Sequence, residues 1–543
     1  MTTPSPPSTT HGETVLTTGD QQQQKKDFRF WAIIFGMGIT SLLAALENTV
    51  VTTAAPAILM DLQLRQDFVW ITNSFFLLSA TFLPLIGQLC NIFGRRWIYL
   101  SMIAIFTLGS GICGGATTGG MLIAGRAVQA VGSGGITMMN NVIVSDLVPL
   151  RQRGKYVAIV LAIFCIGTSL GPFIGGAIVY NTTWRWVFWI NLPIGGVSLL
   201  IMFSFLHLKY EKKETSLKEK MKRIDFIGNA LLIASTVAIL YSLTYAGTVY
   251  AWTSWHKLVP LLLGFLGFVI FAAFELSGFA REPVMPPRLF HHRTSVVVLV
   301  DTFLNSVMYY WFLFFLPVYF QAVALYSSSR AGYSLLPQSL AGIPGAAISA
   351  IALSIWGKFK PIHFTGFAFT TLGMGLLSLL SETTTIAERA VFQIIGALGI
   401  GIIIDTLLPA FQAPVSESEL AAATATWSFV RAFGSIWGVA IPAAVFSNRA
   451  GQLVHTIISD PTARQLLGGG GAYQQASAAF IKSLPLGTQN EVRAVYRESL
   501  KRVFLVGREV PLRKELETRY GLQEKVQRGQ GEESRKPAIG DIA

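Results

Sequence analysis

Apolar residues in this chain neither alternate nor keep to one helical face. They run in long blocks broken by short polar stretches. Thirteen blocks lie near residues 30–58, 68–89, 97–116, 120–148, 156–179, 184–206, 226–246, 258–280, 295–324, 333–356, 364–381, 389–412 and 420–446. Each is long enough to cross about 30 Å of hydrocarbon. Backbone at that depth must satisfy its own hydrogen bonds, so the blocks are predicted as membrane-spanning helices.

The basic residues orient them. Alternate loops hold Arg95 and Arg96; Arg151, Arg153 and Lys155; a run from Lys209 to Arg223; Arg281, Arg288 and Arg293; and Lys358 with Lys360. That is seventeen Lys and Arg, against Arg65, Lys257, Arg330 and Arg389 in the intervening loops. The rich set belongs to the cytoplasm, and the amino terminus with it. Composition agrees. Of 543 residues, 52% are hydrophobic and 13% charged, where soluble domains carry about 25% charged residues; the mean hydropathy is +0.52. The net charge of +13 alternates with helix number, which excludes a basic face for nucleic acid. Cys90, Cys113 and Cys165 all sit inside apolar runs, so neither a disulfide framework nor a thiolate metal site is expected.

Residues 1–29 read as a disordered cytoplasmic tail rather than a cleavable signal. Residues 30–206 form a first six-helix bundle, 207–225 a charged cytoplasmic linker, 226–280 two extra linker helices, and 295–446 the helices of a second bundle. Landmarks repeat between the bundles. Gly94 in Phe93-Gly94-Arg95-Arg96 answers to Gly357 in Trp356-Gly357-Lys358, Pro149 to Pro414, and Gly167 to Gly434, at separations of 263, 265 and 267 residues. Two similarly oriented bundles of this kind build secondary transporters with a central site between the halves.

Charges stranded in hydrocarbon are the most informative residues, since each costs about 2.5–3.5 kcal/mol on insertion scales. The chain keeps Glu47 in the first helix, Arg126 in the fourth, Asp301 in the ninth, Asp405 in the twelfth and Arg431 in the thirteenth. Glu47 and Arg126 share a half. A buried carboxylate beside a fixed cation can bind and release a proton as its surroundings change, or the two can simply pin their helices together. Asp301 and Asp405 lie nearer the cytoplasm, where a solvated vestibule explains them as well as coupling does. Glu275 and Asp146, closer still to the inner surface, need no special role. Asn181-Thr182-Thr183 fits the glycosylation pattern but sits in a very short outer turn, so it is expected to stay unmodified. Aromatic residues Phe164, Tyr309, Tyr310, Trp311, Phe411 and Trp427 are candidates for a cavity surface, with core packing the commoner fate of any one of them.

The motifs resemble those of the major facilitator superfamily, and most of all its 14-span drug:proton antiporters of the fungal toxin and multidrug efflux type. Gly167-x3-Gly171-Pro172-x2-Gly175-Gly176 matches the family's antiporter motif. Gly87-Gln88-Leu89-x4-Gly94-Arg95-Arg96 is similar to its gating loop, with Asn91 at a usual Asp and Ile92 at a usual Arg. Arg126-x2-Gln129-x2-Gly132 resembles the motif assigned to proton transfer, with Ala130 replacing a Gly. Glu47 stands where the first-helix motif usually carries Asp, and Arg431-x2-Gly434-x3-Gly438 fits the thirteenth helix. The resemblance implies an all-α membrane protein of the major facilitator fold. It implies proton coupling or substrate contact at Glu47, Arg126, Gln129, Asp301, Asp405 and Arg431, and an energy source in the proton gradient with no cofactor.

A 14-span member needs one more helix. After an outer loop the chain offers only Val503–Val506 as continuous apolar sequence, with Arg497, Glu498, Lys501 and Arg502 before it. Residues 447–506 are therefore expected to be outer loop and a truncated last helix, and 507–543 a charged polar tail.

The expected function is proton-coupled efflux of hydrophobic or amphipathic small molecules by a monomer in the plasma membrane or the vacuolar membrane. Partners are the substrate, protons and lipid, and no nucleic acid. Alternatives are proton-coupled uptake of a siderophore or nutrient, and a transport-inactive paralogue or receptor. No GxxxxGK[ST] or HExxH occurs, so neither direct ATP use nor zinc-dependent hydrolysis is indicated.

Overall fold

The computed structural model describes residues 28–62, 68–207, 216–245, 254–416, 419–468 and 470–533. The first bundle consists of α1 (Phe28–Asp61), α2 (Phe68–Thr81), α3 (Leu83–Phe93), α4 (Arg95–Gly114), α5 (Gly119–Leu147), α6 (Leu150–Asn181), a short α7 (Trp186–Trp189) and α8 (Asn191–Phe205). Pro84 lies at the start of α3, where its fixed φ and missing N–H are tolerated; α2 and α3 form one span bent by 40°. The linker carries α9 (Leu217–Met221), α10 (Phe226–Tyr245) and α11 (Trp255–Leu276). The second bundle consists of α12 (Arg293–Val318), α13 (Ser328–Ser334), α14 (Leu336–Trp356), α15 (Phe359–Leu377), α16 (Ile386–Gln412) and α17 (Leu420–Ile457), followed by α18 (Pro461–Leu467), α19 (Gly471–Gln474), α20 (Ala478–Lys482) and α21 (Leu486–Glu533). Every apolar block of the sequence is represented by a helix or a helix pair.

The two halves pack alike. Helix α1 lies along α6 as α12 lies along α17, and α4 crosses α5 as α15 crosses α16. Glycines set these crossings. A Cβ at Gly171 would stand 1.9 Å from the Thr49 Oγ1, and one at Gly438 2.5 Å from the Val307 carbonyl. Any larger residue would push α6 off α1 and α17 off α12. Large apolar side chains that remain exposed, such as Leu262, Leu266 and Val269 on α11 and Leu340, Ile348 and Ile351 on α14, are the surface the bilayer covers.

The last helix is longer than its short apolar stretch suggests. Helix α21 is not apolar enough to count as a span on composition, yet it is continuous. Val492, Val495, Tyr496, Leu500, Val503 and Phe504 are buried where the helix packs on α15 and α17. The contact on α15 repeats that of α8 on α4, so the sixth place of the second bundle is filled by an amphipathic helix. A search for uninterrupted apolar runs misses it because Lys501 and Arg502 stay on its exposed side. Helix α17 also runs on to Ile457, past the end expected at 446, and short helices replace much of the expected loop. The orientation of the tail lies outside the described side chains.

Candidate functional site

Glu47 is carried by the stretch of α1 that Gly167 and Gly171 of α6 hold in place. A Cβ at Gly167 would meet Ala45 at 2.8 Å, and Gly171 also lies against the Leu46 carbonyl. The α4–α5 crossing supplies the opposite wall. Gly109 abuts the backbone of Gln129, where a Cβ would come within 2.4 Å of its nitrogen. These approaches bring five polar side chains from four helices together, all of them at most 2% exposed. Arg126 Nη1 donates to the Glu47 carboxylate and to Gln129 Oε1 at 2.7 Å. Asn191 Nδ2, on α8, donates to the other Glu47 oxygen at 2.6 Å. Gln129 Nε2 donates to Ser110 Oγ at 2.7 Å, and Arg126 Nε to the Ile71 carbonyl at 3.2 Å. The guanidinium also lies 4.1 Å from the centre of the Phe75 ring, a cation–π contact. A buried charge pair is tolerated only when its remaining donors and acceptors are satisfied, and this cage meets that condition.

Phe75 is a partition. Behind it lies the Glu47–Arg126 cage; in front lies a cavity of about 130 Å³ between the halves. Its walls come from α2, α3, α5 and α6 on one side, with Phe75, Phe76, Thr137, Asn141 and Phe164, and from α12 and α17 on the other, with Tyr310, Ser428, Arg431 and Ser435. The volume is below the roughly 300–1,000 Å³ of drug-sized sites, as suits a conformation closed at one end.

That closed end is the one that carries the Arg95–Arg96 and Arg151–Lys155 loops. Arg153 Nη1 donates to Gln412 Oε1 at 2.8 Å, and Ser145 shares hydrogen bonds with the same amide. Gly87 of the gating loop presses on α17, where a Cβ would lie 2.2 Å from that of Ala425. Gly94, at φ 89°, turns the chain between α3 and α4. Arg95 then pairs with Asp146 at 3.2 Å, and Arg96 donates to the Phe203 carbonyl at 2.7 Å. Asp146, expected to need no role, thus supplies the loop with an acidic partner while Asn91 stands at the family's Asp. At the opposite end, hydrogen bonds from Trp184 and then Arg185 hold the Asp61 carboxyl below its ordinary range.

The second half arranges its charges differently. Asp301 lies 3.6 Å from His363 Nδ1, and His363 Nε2 lies 3.1 Å from Thr406 Oγ1. Asp405 is buried, with neither carboxylate oxygen hydrogen-bonded among the described residues. Both acids are enclosed rather than solvated in this conformation, and neither lines the central cavity. Arg431 does line it, 5.6 Å from the Trp427 ring.

Residues 37–439 match the family model of the Major Facilitator Superfamily. The chain belongs to that superfamily. It is 56% identical over 514 residues to the MFS-type transporter TwmF of Talaromyces wortmannii, covering 92% of this chain and 93% of that one. It is 41% identical over 519 residues to the efflux pump FUS6 of Gibberella moniliformis, at 93% and 92% coverage. Among solved structures, the human organic anion transporter MFSD10 superposes with a TM-score of 0.54 at 14% identity, covering 87% of this chain and 99% of that chain. The protein is a multi-pass membrane transporter and not an enzyme.

Within this superfamily fold, the structure brings Glu47, Arg126 and Gln129 into one cluster and sets Arg431 on the cavity wall. It leaves Asp301 and Asp405 in the second bundle. Of the antiporter-motif residues, Gly167 and Gly171 contact α1, Gly175 is buried, Gly176 meets nothing within 4 Å, and the ring of Pro172 lies outside the described side chains. Phe164 and Tyr310 line the cavity, while Trp311, Phe411 and Trp427 are buried in the second bundle and Tyr309 packs against its core. Sequence reasoning missed Ser110 and Asn191, uncharged polar residues in apolar runs, and His363, which sits just before the run 364–381. It also missed Phe75, which nothing in its local sequence separates from ordinary apolar filler.

Proposed function

We propose that this transporter exports hydrophobic or amphipathic small molecules in exchange for protons, across the plasma membrane or the vacuolar membrane, with its helices in a 14-span arrangement. The observation that carries the reading is the Glu47 cage, one aromatic ring away from the cavity. A proton reaching Glu47 cancels its charge and removes the electrostatic hold on Arg126. The guanidinium then leans on Phe75, and the change reaches the cavity wall. Loss of the proton restores the pair. Among the described cage residues Glu47 is the carboxylate, the group suited to take up and release a proton, and this reading makes it the proton carrier of this half. The naming of relatives as efflux pumps supports export over uptake.

The test is transport in proteoliposomes with an imposed pH gradient. Movement of a lipophilic fluorescent drug against its own gradient, toward the compartment from which protons leave, supports antiport. Accumulation in the direction of proton flow means symport and uptake. A chain that moves neither drug nor protons is the inactive paralogue.

A further inference from the structure

Among the described residues lining the cavity, Arg431 is the one that is charged. Among the described residues no carboxylate faces it; its neighbours are the Trp427 ring, Tyr310 and Ser435. The cation stands in strong contrast to Arg126, which is neutralised and hydrogen-bonded on several sides. A guanidinium at membrane depth without a counter-charge is costly, and a chain that keeps one pointing into its cavity has a use for an anion there. The surroundings extend the pattern. Ser428, Arg431 and Ser435 fall at helical spacing on the cavity side of α17, and the Ser428 hydroxyl is 92% buried with no hydrogen-bond partner. Guanidinium and hydroxyl together make a two-point donor site for a carboxylate or similar planar anion. Across from it, Phe75, Phe76 and Phe164 offer ring faces for an apolar body.

We infer that this cavity selects acidic amphiphiles: compact, largely apolar, planar molecules with one ionised acidic group, the anion on Arg431 and Ser428 and the body against the phenylalanines. The inference rests on the cavity being the substrate path, as proposed above, and adds the charge of the substrate.

The test is equilibrium binding to the purified full chain of naphthalene-2-carboxylate and of naphthalene-2-carboxamide, its uncharged counterpart of the same shape. The carboxylate is expected to bind about 10- to 100-fold more tightly, the worth of a hydrogen bond to a charged group. Arg431→Gln should erase that preference, Arg431→Lys should keep part of it, and Ser428→Ala should weaken carboxylate binding more than amide binding. Equal affinity for the two probes in the parent chain, or a preference that survives in Arg431→Gln, would overturn the inference. Should Arg431→Gln fail to fold, the parent ratio and the Ser428→Ala ratio decide. Binding needs no pH gradient. A carboxylate preference without proton-driven transport therefore sinks only the antiport reading, and antiport without the preference sinks only this one.

Discussion

The two halves of this transporter share helix pairings and glycine-set crossings but spend their charges in opposite ways. The first half encloses its arginine. Arg126 is held by Glu47, Gln129, the Ile71 carbonyl and the Phe75 ring. The second half presents its arginine. Arg431 faces the cavity with an aromatic ring beside it and, among the described residues, no acid opposite. A repeated scaffold can thus divide labour, one copy storing a titratable pair and the other leaving a binding charge open.

That contrast is easiest to break through stability. Arg126→Ala leaves Glu47 as an uncompensated buried charge and should cost about 3–5 kcal/mol, seen as collapse of the detergent-purified yield and thermal midpoint. Converting both partners, with Glu47→Gln and Arg126→Met, should recover most of the folded protein. Arg431→Ala should fold nearly as well as the parent, because no partner is stranded. An Arg431→Ala chain as unstable as Arg126→Ala would erase the distinction between the halves.

A smaller effect is expected where the halves meet. Gly87→Ala puts a methyl group against Ala425, an overpacking of about 1–3 kcal/mol that penalises the cytoplasm-closed state alone. A cysteine introduced at Ser145 should then react faster with a membrane-impermeant maleimide from the cytoplasmic side. Unchanged labelling would mean the Gly87 contact does not bear on closure.

The smallest effect concerns the outer end of the first half. Hydrogen bonds from Trp184 and then Arg185 depress the Asp61 pKa below the ordinary aspartate range. The sign follows from linkage: the clasp contributes fully above the unfolded value and is lost as pH falls through the folded one. Thermal midpoints of the parent and Asp61→Asn should differ slightly at neutral pH and converge in strong acid. A gap that widens on acidification would reverse the assignment.

Architecture was legible in the sequence because a bilayer imposes one demand, apolar length, on every span. Glu47, Arg126 and Arg431 were legible for the matching reason that charge in hydrocarbon is rare. What stayed hidden depends on geometry across helices. Asn191 is one polar residue in an apolar run until α8 turns it toward Glu47. Phe75 becomes a partition only because the cage lies behind it and the cavity in front. Helix α21 escaped because half of its surface is polar, and a reading of composition along the chain averages over the face that α15 and α17 bury.

The most direct test of the account is Glu47→Gln in proteoliposomes, with substrate efflux and proton movement recorded together. Uphill, gradient-driven efflux should vanish while energy-independent exchange of substrate across the membrane persists, since the cavity and Arg431 are untouched. Gradient-driven efflux at the parent rate in Glu47→Gln would place proton coupling elsewhere in the molecule.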